Sequence, residues 1–200
     1  QAKSLGLKPF IVPAMGSHGG ATAEGQSKVL EHYGVTESAM GCSVRSSMEV
    51  VEVGKTKGTT VYCDKNAWEA DHIAVVGRVN AHPDFSGEIE SGLFKIMAIG
   101  LRKQHGAENY HRAGQHYSYA EIFPLVGRTV LDTGHILFGL GIVQNGYGET
   151  AAVKALLPRD FESGEKALLK DAKAWMPRLP FEAIDLLIVD EMGKNISGAG

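Results

Sequence analysis

Cysteine is nearly absent: Cys42 and Cys63 are the only two in 200 residues, and they stand in different segments. That excludes a disulfide framework and a cysteine-based metal signature, and it leaves two reduced thiols as the expectation. No apolar run approaches the roughly 20 residues that a membrane helix needs. The opening QAKSLGLKPF has neither the apolar stretch nor the cleavage site of a signal peptide. Charge of one sign is missing too. Twenty basic residues stand against 23 acidic ones, a formal net charge of -3, which gives no field for gripping a phosphate backbone or an anionic membrane. Nucleic-acid and membrane partners are therefore not expected, and the chain reads as soluble and cytoplasmic. No GxSxG elbow, Walker lysine loop or HExxH helix occurs. GLGIVQNG at 139–146 has its third glycine misplaced for a dinucleotide fingerprint.

What is present is 44% apolar side chains and 25 glycines, enough for one α/β domain spanning residues 1–200. The chain opens without Met and stops in MGKNISGAG, so it is expected to be a piece of a longer two-domain protein. FIV at 10–12 reads as a buried strand. PAMGSHGG follows, and then a helix from about Ala23 to Tyr33 with Thr22 as N-cap and Gly34 as its stop. MEVVEV (48–53) and TTVYC (59–63) predict a hairpin. HIAVVGRV (72–79) predicts a strand that ends in NAHPDFSGE, and residues 89–103 have helical apolar spacing. Further helices are expected over about 107–117, 118–126 and 162–175, with strands at 135–143 and 184–191. This alternation predicts a layered, largely parallel sheet flanked by helices, Rossmann-like in kind. Ligands of such sheets bind beyond the carboxyl ends of strands. PAMGSHGG, NAHPDFSGE and DEMGKNISG are the loops expected there.

The chemistry-bearing residues fall in those loops and on the helices after them. His18 projects from GSHGG, whose glycines let backbone N–H groups approach an anion at a helix start. His82 stands beside Asp84, which is placed to orient its imidazole, and Phe85, which offers a face to a planar ligand. Imidazole accepts and returns protons near neutral pH. Lys95 lies between Phe94 and Ile96 in an apolar helical stretch, where desolvation would lower its pKa and favour a nucleophilic role. His111 follows on the next helix. His105 and His116 are spaced too irregularly to join it in a three-histidine zinc site, and they and His32, His72 and His135 read as structural or surface residues.

Taken in order, PAMGSHGGATAEGQ, ADHIAVVGRVNAHPDFSGEIESGLFK and NYH at 109–111 resemble the nickel-dependent lactate racemase family of 2-hydroxyacid racemases and epimerases. The resemblance covers roughly residues 10–200 and corresponds to the later part of that family's N-terminal domain. It implies a nickel-pincer nucleotide, a pyridinium mononucleotide whose two sulfurs and one ring carbon hold nickel. It further implies His18 and His82 as the acid/base pair on opposite sides of a small 2-hydroxyacid, Lys95 as the covalent anchor of the cofactor and His111 as the protein ligand to nickel. Glu191 and Lys194 would correspond to polar groups near substrate or cofactor, Lys194 on the cofactor side with Phe85. The sequence departs from the family at Gly19, where an arginine is usual, and at SGLFK, which replaces a GG-x-K approach to the lysine. Two other readings compete: a metal-independent binding module for a small anion, and a hydrolase with a simple metal held by His18, His82 and Asp84. Oligomeric state is unreadable.

Overall fold

The computed structural model describes residues 2–56, 59–104 and 118–191. Among the described residues the architecture is α/β, with three small sheets rather than one. Strand β1 (Phe10–Ile11) pairs in parallel with β2 (Ser43–Val44). Between them, α1 (Ala23–His32) starts where expected, because the Thr22 hydroxyl accepts the Gly25 N–H at 3.0 Å. Strands β3 (Val50–Thr56) and β4 (Thr59–Asp64) form the expected antiparallel hairpin. The third sheet has the order β5 (Ile73–Arg78), β6 (Ile136–Gln144), β7 (Thr150–Leu156). Its β5–β6 pair is parallel and its β6–β7 pair antiparallel.

Two expectations change as a result. The sheets are small and mixed, so PAMGSHGG and NAHPDFSGE leave strands of two different sheets instead of one shared carboxyl edge. The apolar run at 184–191 forms no strand: Leu186 and Ile188 are 77% and 78% exposed. It pairs with none of the described strands. The expected helix at 118–126 is longer, Tyr119–Asp132, because Val126 and Val130 continue its buried face past Pro124. The helix expected at 107–117 lies outside the described residues.

The core is built around the segment that carries Lys95. A helical turn at Leu93–Lys95 passes into a π-helical stretch at Ile96–Gly100, where the Leu101 N–H reaches back to the Ile96 carbonyl. Leu93, Phe94 and Met97 are fully buried there, against Val126, Phe161 and the inner face of β5 and β6. The final long helix, Phe161–Trp175, covers β6 with Leu168, Leu169 and Ala172 buried. Burying a side chain of that size stabilises by about 1.5–3 kcal/mol, so the Lys95 segment is held by its neighbours on every apolar side. Among the described residues no helix is long and apolar enough to cross a membrane.

Candidate active site

The helix that begins at Leu93 links both histidine loops. At its start, the loop of His82 folds back on the buried carboxylate of Glu90. That carboxylate accepts the His82 N–H at 2.7 Å, the Gly87 N–H at 2.8 Å and Lys173 Nζ at 2.5 Å. Burial opposes ionisation of Glu90, but the Lys173 ammonium and these N–H donors outweigh it and hold the carboxyl below its usual range. A fixed anion 2% exposed thus sets the backbone from which the His82 imidazole projects.

The imidazole stacks on Phe85, with ring centroids 4.5 Å apart and planes at 29°. Phe85 in turn meets Phe123 edge-on at 5.5 Å and Tyr119 at 5.8 Å. One face of Phe85, expected to meet a planar ligand, is therefore occupied by His82. The Asp84 backbone N–H donates to His82 Nδ1 at 3.2 Å, while the Asp84 carboxylate stays 3.9 Å away. It is thus the main chain of residue 84, more than its side chain, that orients the ring.

Lys95 is half-buried on the same side. Burial lowers its pKa, and the Asp84 carboxylate only partly restores it. The Lys95 charge and burial together lower the pKa of His82, with burial the larger cause and Asp84 and Glu90 opposing. His82 and Lys95 therefore form, with the exposed Asp84 carboxylate, one electrostatic group in which partial burial biases both bases toward their neutral forms.

His18 sits further along that helix. Its loop docks through Gly16, whose N–H donates to the Gly100 carbonyl at 3.3 Å, roughly 6–8 Å along the helix from Lys95 at 1.5 Å per residue. The loop is tightly wound: Gly19 has φ +66°, and a Cβ there would lie 2.5 Å from the Gly25 backbone, so only glycine fits. Gln26, fully buried, donates to the Gly16 and His18 carbonyls at 2.7 and 3.3 Å. Lys103, also fully buried, donates to the Pro13 carbonyl and to Gln26 Oε1, and its Nζ lies 3.1 Å from Asp64 Oδ2. It does so from φ +53°, backbone that a residue with a side chain rarely adopts. The His18 ring is left exposed, its Nδ1 2.6 Å from the Met15 carbonyl. The anion reading of GSHGG loses one donor, because the Gly25 N–H at the start of α1 is already held by Thr22.

His111, Lys194 and the DEMGKNISG loop beyond Glu191 lie outside the described residues. Among the described residues no group of three His, Cys, Asp or Glu side chains is placed to hold a metal ion.

Glu90, which with Glu88 reads in the sequence as a solvated helix N-terminus, is buried instead, and the sequence reading missed Gln26 and Lys103, the other two buried polar residues that fix the two loops. It also missed Glu165, which closes the start of the Lys95 helix by accepting the Phe94 N–H at 3.0 Å. Only Glu165 carried a signal, its proximity in helical register to Phe161, Leu168 and Leu169. Comparison with protein-family models and with curated proteins finds no match to this chain.

Proposed function

We propose that this chain is the N-terminal-domain portion, Rossmann-like in its layering, of a 2-hydroxyacid racemase or epimerase of the nickel-pincer type. The observation that carries this reading is the pairing of a half-buried lysine with a histidine at one helix start. Lys95 shares its surroundings with His82 and Asp84, and burial biases its amine toward the neutral, nucleophilic form. A lysine in that condition fits a covalent anchor for a cofactor ring.

The chemistry explains the rest of the residue set. Hydrogen on the carbon bearing the hydroxyl of a 2-hydroxyacid is a poor acid, and no protein side chain accepts it well as hydride. The nickel-pincer nucleotide, when bound, supplies the electron-poor centre that takes and returns that hydride. This chain's residues supply the remainder. Lys95 would hold the ring, His111 would ligate nickel, and Lys194 would approach the cofactor. His18 and His82 would manage the hydroxyl proton on either side of the substrate. Phe85 serves by packing His82, and Glu90 by fixing its loop. The upstream and downstream parts of such a protein would complete the cleft.

The test is co-expression of the full-length protein with the cofactor-making enzymes, followed by nickel analysis and a chiral screen of 2-hydroxyacids. Bound nickel and interconversion of enantiomers or epimers are expected, with loss of about 10²-fold or more on replacing the acid/base histidine. A protein without nickel and without interconversion of any 2-hydroxyacid refutes the proposal.

A further inference from the structure

The final long helix, Phe161–Trp175, grips the segment between the His82 loop and Lys95 at three points. Lys166 Nζ lies 2.8 Å from Glu88 Oε2, Lys173 Nζ lies 2.5 Å from Glu90 Oε1, and Glu165 Oε2 accepts the Phe94 N–H at 3.0 Å. The two lysines stand two turns apart on one face of the helix, but their partners differ. The Glu88 side chain is 80% exposed, so water readily replaces Lys166. The Glu90 side chain is 1% exposed, and among the described residues Lys173 is the one charged group bonded to its carboxylate.

The His82 loop is closed at its base, where Asn80 and Ser91 exchange backbone N–H···O bonds of 2.8 and 3.2 Å. Inside it the two oxygens of Glu90 divide the partners. Oε2 accepts the His82 N–H at 2.7 Å, while Oε1 accepts the Gly87 N–H at 2.8 Å, the Ser86 hydroxyl at 3.3 Å and the Lys173 ammonium. Each of these partners donates, so both oxygens must accept. An ionised carboxylate does this, whereas a protonated carboxyl or an amide turns a donor toward one side. A buried carboxylate stripped of its countercharge takes up a proton or draws in water, and either change costs the loop an acceptor.

We infer that Lys173 is a positioning residue: its ammonium keeps both Glu90 oxygens acceptors and so holds the loop from which His82 projects. Lys95 is held separately, by Glu165 at the helix start and by its apolar neighbours. Losing Lys173 therefore loosens His82 and leaves the Lys95 segment in place. The structural half of this inference stands alone. Its effect on turnover rests on the 2-hydroxyacid reading above, in which His82 manages a substrate proton and Lys95 anchors the cofactor.

Hydrogen exchange of the full-length protein, resolved to single amides, tests the structural half. In Lys173→Met the His82 and Gly87 amides should exchange roughly ten- to a hundredfold faster, the effect of a lost hydrogen bond to a charged group. The Phe94 amide should keep its rate, which reports that the helix start remains folded. Lys173→Arg, which keeps the charge, should restore most of the protection. Lys166→Met removes only the exposed grip and should leave the His82 and Gly87 amides unchanged. Unaltered His82 and Gly87 amides in Lys173→Met, or the same acceleration in Lys166→Met, overturn the proposal.

In an active holoenzyme, Lys173→Met should lower kcat about ten- to a hundredfold through a misplaced acid/base, with KM nearly unchanged and the covalent adduct on Lys95 retained. Lys173→Arg should recover most of that loss. Glu90→Gln should lose as much as Lys173→Met, and the double variant little more, because the two residues act as one unit. Additive losses, or a missing Lys95 adduct in Lys173→Met, contradict the division between the two grips. The expected exchange pattern in a protein that interconverts no 2-hydroxyacid refutes the function and leaves Lys173 as the residue that holds the loop.

Discussion

Glu165 offers a quantitative test of how the Lys95 helix is held. It is fully buried, with Oε2 accepting the Phe94 N–H and Oε1 lacking a hydrogen-bond partner among the described residues. Burial pushes its carboxyl up to about 7, against the pull of the Phe94 and Leu93 N–H groups. The native state thus keeps this proton up to about pH 7, whereas the unfolded chain loses it near 4.5. Between those values the native state binds more protons, so stability falls as pH rises and is flat on either side. A gap of about 2.5 pH units at 1.36 kcal/mol each amounts to about 3 kcal/mol.

Glu165→Gln removes the titration but keeps the shape and an acceptor for Phe94. Urea unfolding followed by tryptophan fluorescence at pH 4.5, 6 and 8 should show the variant gaining about 3 kcal/mol on wild type across that range. Other titrating groups cancel in the difference. Gly92 supplies a second arm, since a Cβ there would lie 2.4 Å from Glu165 Oε1. Gly92→Ala should cost about 1–3 kcal/mol in the wild type and distinctly less in a Glu165→Ala background, where the obstruction is gone. A wild-type-to-Gln difference that stays constant with pH refutes the reasoning.

Two further outcomes follow from buried groups. At pH 8 a thiol reagent should label Cys42 readily and Cys63 only on unfolding, because Cys63 is fully buried and burial pushes its thiol up to about 12; two equally reactive thiols by mass spectrometry would contradict this. Asp64→Asn should destabilise by about 3–5 kcal/mol in urea unfolding, because it strips the countercharge from the fully buried Lys103. Adding Lys103→Met should recover part of that loss.

Local signals were the legible part of this sequence. Thr22 before an amphipathic run set the start of α1, the break between two β-branched runs set the hairpin, and FKIM within an apolar stretch pointed to a half-buried Lys95. Features that depend on distant partners were not legible. Thr150–Leu156 reads TAAVKAL, which has weak strand character, and becomes β7 by pairing with β6. The far stronger run at 184–189 pairs with no described strand and stays exposed. In the site, the proximity of His82, Asp84 and Lys95 could be guessed from 13 residues of chain. The attachment of the His18 loop could not, because it passes through Gln26 and Lys103, 77 residues apart. Charged residues in a helix or a loop normally read as solvated, and Glu90, Lys103 and Glu165 are buried only because other elements close over them.

The most direct test of the proposed function is the mass of the peptide that contains Lys95, taken from full-length protein purified after co-expression with the cofactor-making enzymes. The proposal predicts a covalent adduct of a sulfur-bearing pyridinium mononucleotide on Lys95, absent in Lys95→Ala. An unmodified Lys95 peptide in nickel-loaded protein, or an adduct on a different lysine, would contradict it.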